Sequence, residues 1–203
     1  METKNTKRHI DAQATARWIN EGDRVLDLGC GRGVLLDYLK NKKSVFGIGV
    51  DINFEHILSC VKRNVTAYHG DMRPLLATFN DNSFDRVIFS RSIEFVDEPE
   101  IILLEGLRVG KHVTVGFINQ GFWKNRLKYL LKGELRDVNM LQPRPWYRTQ
   151  RSSPFSVTEF DRFCDSHEIK VNNRAYLAGD SSSECKVLPN FFASYAVYDL
   201  SKE

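Results

Sequence analysis

Two rhythms of apolar and polar residues alternate along the chain. Short apolar runs rich in β-branched residues, Arg24-Val25-Leu26, Ser44–Val50, Val65–Tyr68, Phe84–Phe89 and His112–Phe117, read as strands buried on both faces. Between them, apolar residues recur three and four positions apart: Val34, Leu35, Tyr38 and Leu39; Ile57, Leu58 and Val61; Ile101, Leu104 and Leu107. That spacing predicts helices packed through those side chains. A first helix, Ile10–Ile19, offers Ala14, Trp18 and Ile19 and is stopped by Asn20-Glu21-Gly22-Asp23. Asp81-Asn82-Ser83 makes a turn before the fourth strand, and Glu98-Pro99 opens a helix that Gly110 ends. Strands alternating with helices of this length predict an α/β fold, with a mostly parallel sheet covered by helices on both faces.

After the fifth strand the rhythm changes. Phe122–Leu131 reads as helical, but Lys132–Ser156 carries Gly133, Pro143, Pro145 and Pro154 without periodicity. An irregular, lid-like insertion over about 120–156 is expected, since loops this long in compact domains are usually functional. Ser156-Val157-Thr158-Glu159 is a capping box opening a helix with Phe160 and Phe163. Ile169–Leu177 and Phe192–Leu200 follow as sixth and seventh strands.

Composition narrows the class. With 203 residues, 42% of them hydrophobic, the chain can bury one core, so residues 1–203 are expected to form a single domain. A net charge of +3 is too small to argue for a nucleic-acid or membrane partner. The four cysteines form no Cys-x-x-Cys pair and the five histidines no metal-ligand spacing, so neither zinc nor a disulfide framework is indicated. No run approaches the roughly 20 apolar residues of a membrane span; a cytoplasmic location is expected.

The candidate chemistry starts at Asp27-Leu28-Gly29-Cys30-Gly31-Arg32-Gly33, where the first strand ends in glycines and a helix opens. Backbone N–H groups there meet a ligand without intervening Cβ atoms, which makes a nucleotide-type pocket. A dinucleotide fingerprint would put its third glycine at position 34, which is Val34, and no Gly-Lys-Ser/Thr follows for a P-loop. The second strand ends at Asp51-Ile52, whose carboxylate can accept two adjacent ribose hydroxyls. The third ends in His69-Gly70-Asp71-Met72.

Asp-x-Gly-x-Gly-x-Gly resembles motif I of the class I S-adenosylmethionine-dependent methyltransferases. The resemblance implies a Rossmann-like, seven-stranded sheet with one antiparallel strand. Within it, Asp27, Gly29, Gly31 and Gly33 would face the methionine part of S-adenosylmethionine or S-adenosylhomocysteine. Asp51 and Ile52 would take the ribose side, Asp71 and Met72 the adenine, and Ser90 and the residues after it the transferable methyl. Glu94 is then the nearest candidate base, on weak grounds: nothing in the sequence pairs with it.

A narrower resemblance, from Trp18 to Leu200, is to the MetW methionine biosynthesis family. It is carried by Arg24–Gly31, Asp81–Asp85, Leu107–Gly110, Asn119-x-Gly121-x-Trp123-x-Asn125-Arg126-Leu127, Trp146-Tyr147 with Thr149, and Leu188-Pro189-Asn190. The chain departs from the family where Gln150-Arg151-Ser152-Ser153 stands in place of the usual Asn-Ile-His. This resemblance implies a companion of a homoserine O-acyltransferase as readily as an enzyme methylating a small molecule. Between Lys124 and Arg151, eight basic residues face two acids among several aromatics, a composition suited to a partner surface. Asn119, Trp123, Arg126, Trp146 and Tyr147 are the candidates for contacting a substrate or partner.

Overall fold

The computed structural model describes residues 12–133, 153–178 and 183–202. Residues 12–15 form a helical turn (α1) that tightens into a 3₁₀ turn at Ala16–Trp18. There follow β1 (Arg24–Leu28), α2 (Val34–Lys43), β2 (Phe46–Asp51), α3 (Phe54–Lys62), β3 (Thr66–His69), α4 (Met72–Leu76) and β4 (Phe84–Ser90). A 3₁₀ turn at Ile93–Phe95 leads to α5 (Pro99–Val109), β5 (Gly110–Ile118), α6 (Trp123–Lys132), α7 (Val157–Ser166), β6 (Lys170–Ala178), α8 (Pro189–Phe192) and β7 (Ala193–Ser201). All seven strands join one sheet in the order β3-β2-β1-β4-β5-β7-β6, with β7 antiparallel to both its neighbours. This is the expected seven-stranded architecture. The short helices α4 and α8 are additional to it, too brief to leave a periodic signal. Trp146 and Tyr147, with most of the expected insertion, lie outside the described residues.

Two helices pack through faces other than those predicted. On α3 the buried residues are Ile57 and Cys60, while Leu58 and Val61 face solvent. On α5 they are Ile102, Leu103, Gly106, Leu107 and Val109, while Ile101 and Leu104 are exposed. Both shifts follow from small residues. A Cβ on Gly106 would come within 2.8 Å of the Phe89 ring, so α5 sits close to the sheet only with glycine there. Cys60 occupies the equally tight space under Gly33.

The N-terminal turn is fixed across one face of the sheet. Arg86, buried on β4, donates to Trp18 O (2.8 Å) and Thr114 Oγ1 (2.9 Å) and pairs with buried Asp199 of β7. Lys43 donates to the carbonyls of Ala16 and Ile19. A buried pair of this kind contributes little net stability, but losing one partner strands the other charge, so it specifies position. Ala14 thereby packs against Ile118, Tyr195 and Val197, and Ile19 against Val25 and Leu39.

Candidate functional site

Three carboxylates and a glycine loop meet at the C-terminal ends of β1, β2 and β3, where doubly wound sheets bind ligands. The loop is anchored to β2 by Gly29 N and Cys30 N, both donating to Val50 O (2.8 and 3.0 Å). Gly29, Gly31 and Gly33 have φ of +80°, +56° and +72°, the left-handed region that side chains rarely adopt. Their surroundings differ. A Cβ on Gly29 would lie 2.4 Å from Ser92 Cβ and one on Gly33 2.9 Å from Cys60 Sγ, whereas one on Gly31 would meet nothing within 4 Å. Gly29 and Gly33 therefore serve close packing, and Gly31 faces open space.

Asp27 is buried at the end of β1, and its Oδ1 has no hydrogen-bond partner. Burial, reinforced by the charge of Asp51, pushes its carboxyl up to about 7. Asp51 is used more fully: Oδ2 accepts from Gly31 N (2.8 Å), and Oδ1 accepts from Asn53 N (2.8 Å) with His56 Nδ1 at 3.1 Å. It thus ties the glycine loop to the start of α3. Ile52 beside it is exposed, and its carbonyl lies 3.0 Å from His69 Nε2. Asp71 caps α4 by accepting from Arg73 N (2.9 Å), and Met72 is half-buried against the core. The sheet register sets Asp51 beside His69, so these residues form one continuous rim.

Ser90 ends β4 half-buried, and the chain then turns through Arg91, at φ +58°. Ser92 presses on Gly29, is buried, and its Oγ lacks a partner. Glu94, 1% exposed, accepts from Ile118 N through Oε1 (2.8 Å), while Oε2 has no hydrogen-bond partner. Burial raises its carboxyl to about 7 against the opposing hydrogen bond and the Arg91 charge. Sequence reasoning placed Ser92 in the segment after β4 but missed its packing on Gly29, and it missed the Asp51–His56 pair. The signals were present, in a serine after β4 and in Asn53, which caps α3 and sets the helix that carries His56.

The candidate partner residues occupy a second region. Asn119 is fully buried: its Nδ2 donates to Ala193 O (2.8 Å) and Asn190 O (3.1 Å), and its Oδ1 accepts from Gly121 N (2.9 Å) and Val157 N (3.1 Å). Asn125 donates to the carbonyls of Asn119 and Gln120 (both 3.3 Å). Arg126 Nε donates to Gly121 O (2.6 Å), and its guanidinium lies 5.5 Å from the Phe191 ring. Gly121 leaves room for Asn190, whose Oδ1 would lie 2.3 Å from a Cβ there. Asn119–Leu127 and Leu188–Asn190, remote in sequence, thus interlock. Trp123 is half-buried against Phe122 at the start of α6.

A cleft of about 450 Å³ opens at the opposite, N-terminal ends of the strands, lined by Arg24, Lys40, Phe46, Thr66 and apolar neighbours. None of the candidate residues lines it. Among the described residues no cluster of histidine, cysteine and carboxylate could hold a metal ion, and no helix is long and apolar enough to cross a membrane.

Known proteins place this geometry in a family. A magnesium protoporphyrin IX methyltransferase from Synechocystis, solved with bound S-adenosylhomocysteine, shares the fold at TM-score 0.62 and 14% identity over 98% of this chain and 83% of its own. A Thermotoga maritima S-adenosylmethionine-dependent methyltransferase, a possible histamine N-methyltransferase, aligns at TM-score 0.71 and 22% identity, covering 99% of this chain and 91% of that one. A bifunctional methionine biosynthesis protein MetXA/MetW from Rhodopirellula baltica is 30% identical over 133 residues, which are 62% of this chain and 21% of that protein. The chain therefore spans about a fifth of that relative's length. The profile of the methionine biosynthesis protein MetW matches residues 9–200, and the chain belongs to the MetW family.

Proposed function

We propose that the protein binds S-adenosylmethionine or S-adenosylhomocysteine at the carboxylate rim and acts in methionine biosynthesis as a cofactor-responsive partner of a homoserine O-acyltransferase. The observation that carries the partner reading is the relative in which MetXA and MetW are parts of one polypeptide. Fusion of two chains is a natural outcome when they act together. The cofactor reading rests on the fit of the residues. The unpartnered Asp27 Oδ1 suits an ammonium donor, the open space at Gly31 admits a chain beside the loop, and the Asp51 carboxylate, at the C-terminal end of β2 beside the loop, would accept the ribose hydroxyls. Ile52 and Met72 would supply the apolar contact to a purine, and Asp71 an acceptor for its amine. When bound, the cofactor would supply either a transferable methyl group or a signal of methylation state.

Titration of the purified chain with S-adenosylmethionine and S-adenosylhomocysteine, and co-purification with the acyltransferase, test the two halves separately. Micromolar ligand binding and a stable complex are expected; absence of either removes that half.

Glu94 favours a second reading, methyl transfer to a small acceptor. Its buried carboxyl, titrating near neutrality with one unpartnered oxygen beside the Ser92 turn, has the character of a general base. Turnover of S-adenosylmethionine with a panel of small alcohols, amines and acids, lost in Glu94→Gln, would establish it. No turnover with any acceptor would leave the partner reading.

A further inference from the structure

Helix α6 carries its apolar stripe on the wrong side for a helix packed on its own domain. Trp123, Leu127, Leu130 and Leu131 recur at i, i+4, i+7 and i+8, the spacing of one helix face. A stripe of this kind normally faces the core, yet the only buried residue of α6 is Asn125. Leu130 and Leu131 are 79% and 71% exposed, and Leu127 and Tyr129 are also exposed. Beside α6 the short helix α8 and its approach present Val187, Leu188, Phe191 and Phe192, all exposed. The Arg126–Phe191 contact makes the two helices neighbours.

The interlock beneath them is built to hold this arrangement. Asn119 alone joins the ends of β5 and β7 to α8 and to the start of α7, and its polar groups are used inward. Asn125 and Arg126 are used inward as well. Buried hydrogen bonds thus fix the base of two short elements whose apolar side chains point outward. A contiguous apolar surface on rigid supports marks a protein interface. The flanks of the stripe carry Lys124 and Arg126, and α6 has no acidic residue.

We propose that α6 docks, with α8 at its side, into an apolar groove rimmed by carboxylates on the homoserine O-acyltransferase, in the manner of an amphipathic helix laid in a groove. The inference rests on the partner reading above and moves the contact from the buried Asn119 to Leu127, Leu130, Leu131, Leu188 and Phe191. The fusion relative argues for this occupant, since it keeps the two partners in one chain. The basic flanks argue for a carboxylate rim.

The test is the affinity of the acyltransferase for the full chain, for Leu130→Glu/Leu131→Glu, and for Phe46→Glu, whose site is 73% exposed beside the opposite cleft. Association should weaken about a hundredfold in the double variant and stay unchanged in Phe46→Glu, with S-adenosylhomocysteine binding intact in both. If the wild-type chain binds and the double variant binds equally, the docking surface is wrong while the partner reading stands. If the wild-type chain does not bind, the partner reading falls and the docking assignment with it. Two further results would overturn the assignment: a dimer of the chain alone, or binding to anionic phosphatidylserine vesicles, that the double variant abolishes.

Discussion

The carboxylate rim and the α6–α8 corner are both unfinished, in different ways. At the rim, polar groups are buried without partners: Asp27 Oδ1, Ser92 Oγ and Glu94 Oε2. At the corner, the side chains of Asn119 and Asn125 bond inside the protein, Gln120 Nε2 and Asn190 Oδ1 are buried without partners, and large apolar side chains are exposed without cover. A buried unpaired polar group costs about 1–3 kcal/mol, which a small ligand with matching groups recovers. Exposed apolar area is recovered by another macromolecular surface. On the proposed reading, the exposed apolar area is what distinguishes the docking surface from the small-molecule site.

The sharpest way to break that division is within the glycine loop. Gly29→Ala sets a Cβ 2.4 Å from Ser92 at φ +80°, so a loss of about 3 kcal/mol or more is expected in chemical denaturation, with ligand binding lost as well. Gly31→Ala meets no atom within 4 Å, so it should cost only about 1 kcal/mol of stability, for the left-handed backbone. It should nonetheless weaken S-adenosylhomocysteine binding more than tenfold. Equal binding in Gly31→Ala and wild type would mean that no ligand occupies that space.

At the corner, Asn119→Ala strands the N–H groups of Gly121 and Val157 and the carbonyls of Asn190 and Ala193. A loss of about 3 kcal/mol is expected. Thermal unfolding should show the loss, and acyltransferase association should weaken with it. Normal stability would make Asn119 a contact residue rather than an internal strut.

Asp51→Ala should weaken cofactor binding by about 1–3 kcal/mol, because ribose donors would be buried unmet. Calorimetry reads this directly; wild-type affinity would remove the ribose assignment.

A further expected effect depends on pH. The folded Glu94 carboxyl titrates near 7 against an ordinary 4.5. Between those values the folded state holds a proton that the unfolded chain has released, so stability falls as pH rises through this window. Glu94→Gln can keep the bond from Ile118 N and has no charge to bury. It should match wild type near pH 4 and exceed it by about 3 kcal/mol at pH 8. An equal pH dependence in both proteins would mean that Glu94 is ionised at neutral pH.

How much of this was legible in the sequence follows from what each signal encodes. The strands were, because buried strands leave continuous apolar runs bounded by turn residues; the one antiparallel strand was implied by the methyltransferase resemblance, not by the pattern. The acids ending β1, β2 and β3 were, since their positions follow from the strands alone. The packing faces of α3 and α5 were not: apolar periodicity fits two adjacent stripes, and Cys60 and Gly106 decide by being small, which hydrophobicity does not score. The role of Asn119 was not, because the motif marks the residue without saying whether its amide points inward. Nothing in the sequence pairs with Glu94 because its partner, the amide of Ile118, is supplied by the fold.

The central claim is that a small-molecule site and a docking site coexist in this chain and communicate. Calorimetric titration of S-adenosylhomocysteine into the chain alone and into the chain saturated with the acyltransferase tests it most directly. Coupling predicts micromolar binding whose affinity changes at least severalfold when the partner is present, with the reciprocal change in partner affinity. Identical affinity in both titrations would leave two independent sites, and no binding in either would contradict the account of the rim.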